Sequence, residues 1–120
     1  MNDTTTSEAY FLKMLESPVS KKLSRIAMLA RPRSNRFLLQ GLRARVTTYV
    51  VSSLKELRVA LRHLHEGTLQ ALDIRDLQLE DTRLLATCLS EATAQDAIIY
   101  IMTPEQFSLF GDVSFGFVYR

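Results

Sequence analysis

Residues 97–102, Ala-Ile-Ile-Tyr-Ile-Met, form an unbroken apolar run that Thr103-Pro104 closes. Such a run has no polar face to turn to water. It reads as a short β-strand buried on both sides, which requires other layers packed over the sheet that contains it. The 120-residue chain suits one domain with a modest core, and 47% apolar against 23% charged residues is ordinary for a globular protein.

The segments around this run alternate in type. Arg45–Val51 is dense in β-branched and aromatic residues and reads as a strand. Ser53-Leu54-Lys55-Glu56 is a capping box opening a helix, with Leu54, Leu57, Ala60, Leu61 and Leu64 as its buried stripe and Gly67 as its C-terminal cap. Leu69–Arg75 reads as a strand. A helix at about Glu80–Thr93 places Leu84, Leu85, Cys88, Leu89 and Ala92 inward. After the apolar run, Thr103-Pro104-Glu105-Gln106 supplies an N-cap, a proline at the first helical position and a glutamine three beyond the cap. One helical turn fits there, ended by Gly111. Val113–Tyr119 alternates and reads as a last strand with Val113, Phe115, Phe117 and Tyr119 on one face.

The expected body is therefore an α/β fold: a small two-layer sandwich over 43–120, ordered β-α-β-α-β-(short α)-β, with four strands and two principal helices. An apolar strand face near the end of the chain is hard to leave in water. Phe115, Phe117 and Tyr119 are accordingly expected to form a partner interface, most simply in a homodimer.

Residues 1–42 read as a basic amphipathic helical arm and linker. Nine Lys/Arg oppose three Asp/Glu over residues 1–46, a formal +6, whereas residues 47–120 carry −4. Thr5-x-x-Glu8 is a capping box, and the helix it opens carries Phe11, Met14 and Leu15 on one face with Tyr10 at its edge, ending before Pro18. A second helical stretch, Val19–Ala30, sets Leu23, Ile26, Ala27 and Ala30 opposite Lys21, Lys22 and Arg25. Arg31–Arg36 breaks the pattern and reads as a flexible linker. Basic arms seek phosphate, on nucleic acid or on anionic headgroups. Membrane or partner contact is thus expected from Tyr10, Phe11, Met14, Leu15, Lys21, Lys22 and Arg25.

Evidence for chemistry is sparse. His63 and His65 lie about 200° apart on a helix and cannot chelate one metal from it. Cys88, the single cysteine, reads as a buried structural thiol and allows no disulfide framework. Asp73, Asp76, Glu80 and Asp81 cluster after a strand, but Asp76 or Asp81 as a helix cap, with Glu80 answering the helix dipole, accounts for them without a cation. The chain lacks GxGxxG, GxxxxGK[ST] and GxSxG. No cofactor and no enzymatic activity are expected. With no eighteen-residue apolar span and no secretory leader pattern at Met1–Thr6, a cytoplasmic setting is expected, peripheral to the inner membrane if the arm binds lipid.

Leu54–Gly67, then Leu72-Asp73-Ile74-Arg75, the spacing from Asp73 to Leu89-Ser90, and Ile99-Tyr100-Ile101-Met102-Thr103-Pro104-Glu105-Gln106 together resemble SepF, the bacterial division protein that links FtsZ to the membrane. The layout of amphipathic start, basic linker and compact body is similar too. Leu84, Thr87, Cys88 and Glu91 stand where that family has Arg, Asp, Phe and Gly. The resemblance implies a dimeric adaptor whose first residues lie on the membrane and whose body binds FtsZ or another filament protein. Two other readings use the same segments: a partner-binding or STAS-like regulatory subunit of a larger assembly, and a nucleic-acid-associated regulator contacting phosphates through Arg25, Arg31, Arg33 and Arg36.

Overall fold

The computed structural model describes residues 13, 25–31, 40–42, 44–63, 69–91 and 98–120. The apolar run forms strand β4, Ile98–Met102, and all five of its residues are buried. It lies at the middle of a five-stranded sheet with β1 (Arg25–Leu29), β2 (Thr47–Val50), β3 (Gln70–Asp73) and β5 (Phe117–Tyr119), in the order β2-β3-β4-β1-β5. Every pairing is parallel. Parallel neighbours need crossover connections, and the chain supplies helix α1 (Leu54–His63) between β2 and β3 and helix α2 (Leu79–Glu91) between β3 and β4. A short helix α3, Pro104–Phe107, and a 3₁₀ turn at Ser108–Phe110 follow β4.

The pleat of β4 explains why the run carries no polar residue. Ile98, Tyr100 and Met102 face the helices, joining Leu57 and Ala60 of α1, Leu85, Ala86 and Leu89 of α2, and Phe110. Ile99 and Ile101 face the other way, joining Ile26, Met28, Ala71, Leu42 and Tyr119. The α/β class is the one the sequence indicates, with a fifth strand added.

That fifth strand corrects the reading of the basic segment. Residues 25–29 are the strand between β4 and β5, not the end of a helix. Ile26, Ala27 and Met28 have no exposed surface. The run Arg-Ile-Ala-Met-Leu fits either period, and a segment this short is decided by what it must pair with. Here β4 offers one edge to β3 and the other to β1, in register from Arg25 with Ile98 to Leu29 with Met102. A boundary at residue 42 therefore does not separate an arm from a body, since residues 25–29 lie within the sheet.

The end of the chain also differs from expectation. Only Phe117–Tyr119 is strand, and residue 116 is a bend whose N–H donates to the Arg25 carbonyl at 2.8 Å. The bend changes the side on which the rings fall. Val113 and Phe115 turn into the helical layer, where Phe115 stacks edge-on to Tyr100 and Phe110 with centroids 6.3 and 5.9 Å away. Phe117 and Tyr119 pack on the opposite face. The bare apolar ribbon expected from Phe115, Phe117 and Tyr119 does not exist, because these rings serve the chain's own two cores. Helix α2 is likewise rotated: Thr82, Leu85, Ala86 and Leu89 point inward, while Leu84 is 52% exposed and Cys88 is exposed rather than buried. The Thr82 hydroxyl can face the core because it donates to the Gln78 carbonyl at 2.9 Å.

Both capping boxes in the described residues form, one with an offset. Ser53 Oγ accepts from the Glu56 N–H, but the Glu56 carboxylate accepts from the Ser52 N–H and hydroxyl, one residue further back. At α3 the box closes on itself: Thr103 Oγ1 accepts from the Gln106 N–H at 3.1 Å, and Gln106 Oε1 accepts from the Thr103 N–H at 2.9 Å. Gln106 is 2% exposed, and its amide also donates to the Ile74 and Leu77 carbonyls at 2.6 and 3.1 Å and to Thr82 Oγ1 at 3.3 Å. One side chain thus satisfies the buried turn between β3 and α2. Gln106→Leu removes the amide donor from the Leu77 carbonyl and the acceptor from the Thr103 N–H, while the Ile74 carbonyl keeps only the Leu77 N–H at 2.9 Å, at about 1–3 kcal/mol per buried group left unpaired. Urea unfolding of that variant is expected to show a loss of about 2–4 kcal/mol, against about 1 kcal/mol for Thr103→Ala.

Candidate functional site: an open strand edge and its helical rim

Strand β2 is the outermost of its side of the sheet and pairs, among the described residues, with β3 alone. The Val51 N–H donates to the Asp73 carbonyl at 3.1 Å, so alternation turns the backbone of Thr47 and Tyr49 toward β3 as well. The N–H and C=O groups of Thr48 and Val50 therefore face outward. Residues 46–51, Val-Thr-Thr-Tyr-Val-Val, contain no charge, proline or glycine, the residue types that ordinarily guard a strand edge. Val50 is 51% exposed.

Helix α1 forms a rim along this edge. Between the two runs a groove of about 640 Å³, lined by Tyr49, Val50, Ser53, Lys55, Val59 and His63 among others. Val59 is 45% exposed. The Tyr49 hydroxyl donates to the His63 carbonyl at 3.5 Å, holding the last turn of α1 over β2. The rim carries Lys55 and Glu56 together in its first turn and Arg62 and His63 in its last, where the basic pair complements the helix dipole. An edge whose outward peptide groups meet no partner among the described residues, beside a groove with an apolar floor, is suited to receiving an extended polypeptide.

The carboxyl ends of the strands, where α/β proteins often bind ligands, are occupied by a structural clamp instead. Arg75 grips Asp73 through both carboxylate oxygens, Nε to Oδ1 at 3.0 Å and Nη2 to Oδ2 at 2.8 Å, and donates from Nη1 to the Arg31 carbonyl at 2.9 Å. The Arg75 N–H adds a bond to Asp73 Oδ1 at 3.1 Å. The side-chain hydrogen bond to Asp73 raises the Arg75 pKa above the ordinary arginine value, against burial, which lowers it. A raised pKa contributes stability that is complete below the unfolded value and disappears only at more alkaline pH, so this contribution is flat around neutrality. Asp73 is thus spent on Arg75. Asp76 and Glu80 are exposed, and no group of three or more His, Cys, Asp or Glu among the described residues could hold a metal ion. Helix α2 begins at Leu79, so neither Asp76 nor Asp81 occupies its cap position, whereas Glu80 and Asp81 lie in its first turn.

The residues expected to contact a membrane or partner fall differently. Tyr10, Phe11, Met14, Leu15, Lys21 and Lys22 lie outside the described residues, as does His65. Arg25 opens β1 and is 7% exposed, so it belongs to the sheet and not to an exposed basic face. The β2 edge is the feature that sequence reasoning passed over. The strand itself is legible, but its place at the edge is not: Thr47 is exposed, whereas Thr48 Oγ1 is buried with no hydrogen-bond partner among the described residues.

No family profile, curated protein or solved structure matches the chain. Among the described residues, no helix is long and apolar enough to cross a membrane.

Breaking the clamp is expected to be costly. Arg75→Met leaves the Asp73 side chain, 5% exposed, as a buried carboxylate without its cation. Denaturant unfolding at pH 7 is expected to show a loss of about 3–5 kcal/mol, partly recovered when Asp73→Asn is added.

Proposed function

We propose that this chain is a non-enzymatic adaptor that binds a protein partner by strand addition along β2. The observation that carries the reading is the outward pair Thr48 and Val50, whose backbone groups stand beside an apolar groove. An added strand supplies main-chain hydrogen bonds worth about 0.5–1.5 kcal/mol each, and covers Val50 and Val59. The adaptor role is the one the SepF-like segments also suggest. A lipid tether is not part of this proposal, because one of its basic residues, Arg25, is buried in β1. Contact with nucleic-acid phosphates is left out for the same reason.

A photo-crosslinking amino acid at position 47, an exposed β2 residue, tests this reading in the native host. The expected result is an adduct to a polypeptide that disappears when Val50→Pro is introduced. That substitution removes an outward N–H without removing a bond to β3, and circular dichroism reports whether the sheet survives. Absence of an adduct, or one indifferent to Val50→Pro in a folded chain, overturns strand addition.

A further inference from the structure

We infer that the segment received at this edge is an extended stretch of another protein that sets an apolar residue on Val59 and an acidic residue beside Arg62 and His63. The inference rests on the strand-addition reading and names the chemistry of its occupant. Charge, spacing and the outward peptide groups each bear on it.

Residues 43–66, which hold β2 and α1, carry five Lys/Arg against two Asp/Glu, a formal +3, whereas residues 67–120 carry three against eight, −5. The positive part of this sequence is the part that borders the edge, and it draws anionic partners there. Within α1 the charge is uneven. Lys55 stands beside Glu56, whose carboxylate accepts from the Ser52 N–H and hydroxyl at 3.2 and 3.3 Å, so this end is close to neutral. Arg58, Arg62 and His63 follow with no acidic residue among them, and all three are exposed. The excess positive charge therefore lies toward the end of α1, whose last turn the Tyr49 hydroxyl holds over β2. Spacing then fixes the pattern of the occupant. Lys55, Val59 and His63 line the groove at intervals of four residues, about 6 Å along the helix. Alternate residues of a strand are about 7 Å apart, so three same-face side chains of an added strand meet these three in turn. The middle one covers Val59, which is 45% exposed, and is apolar. The one toward His63 meets the excess positive charge, which a carboxylate complements. The peptide groups favour a polypeptide over a nucleic acid. Thr48 and Val50 turn N–H and C=O alike outward, and a phosphate, which only accepts, leaves those carbonyls unpaired.

Selection of short random peptides, displayed on phage, against the full chain tests the inference. The expected selected peptides alternate apolar with polar residues and carry Asp or Glu two positions from a central Val, Ile or Tyr. Lys and Arg are expected to be depleted. The affinity of a synthetic selected peptide is expected to fall as salt rises. It is expected to fall about fivefold on Arg62→Glu or His63→Glu, since each sets a carboxylate against the peptide's own. Replacing the peptide's acidic residue by Lys is expected to reverse that order, a result that a merely destabilised variant does not give. Selected peptides without an acidic bias that still require Val50 overturn the charge assignment and leave strand addition standing. Peptides indifferent to Val50→Pro in a folded chain, or no selected peptides at all, overturn both. A peptide copied from residues 45–51, or single-stranded DNA, that displaces the acidic peptides at lower concentration overturns the assignment of the occupant.

Discussion

The double-sided burial of β4 is the constraint from which the rest of the molecule follows. Five consecutive buried apolar residues leave the strand no solvated face, and its backbone groups must then be satisfied along both edges. Strand β3 fills one edge and β1 the other, both parallel. Parallel pairing in turn demands crossovers, which is why α1 and α2 follow β2 and β3. The same demand draws residues 25–29 out of the basic segment and into the centre of the sheet. Their hydrophobic alternation, Ile26 and Met28 toward one core with Ala27 and Leu29 toward the other, meets it.

The carboxyl ends of these strands are then locked together by polar side chains. Arg75 ties the end of β3 to the Arg31 carbonyl beyond β1, while Gln106 ties the start of α3 to the turn after β3. The Ala30 N–H donates to the Met102 carbonyl, and the Ile74 N–H to the Ile101 carbonyl, each at 2.9 Å. Polar groups that could have served a ligand at this end of the sheet are committed to one another. Because β2 pairs with a strand held in this way, its outer edge is presented in a fixed conformation, and little ordering cost attends the addition of a further strand.

Much of the body is legible in the sequence because local and global signals agree there. The Ile98–Met102 run, the Leu57–Ala60 stripe and the Thr103–Gln106 box each have one sensible reading. The failures occur where local pattern permits two answers. Arg25–Leu29 satisfies helical and strand periods alike, and only the vacancy beside β4 decides. Leu84 and Cys88 resemble core residues, but a hydrogen-bonded Thr82 takes the inward position and turns the helix. Val113–Tyr119 alternates perfectly as a string, yet the bend at Gly116 divides its rings between two cores. The buried amide of Gln106 is visible as a cap in the sequence; its second role, satisfying carbonyls some thirty residues away, depends on the fold.

The two edges of the sheet are not equivalent, and the difference favours β2 over β5 as the edge for the proposed strand addition. Strand β5 has three residues, is preceded by a bend and is followed by Arg120, whose guanidinium lies 5.8 Å from the Phe107 ring centroid. Shortness and a flanking charge are both devices that discourage pairing. Strand β2 is one residue longer, has no charge within residues 46–51 and is bordered by a groove rather than by a charge held on a ring. Were both edges unguarded, addition at each would build an open filament of sheets. With β5 blunted, the proposed strand addition is confined to β2.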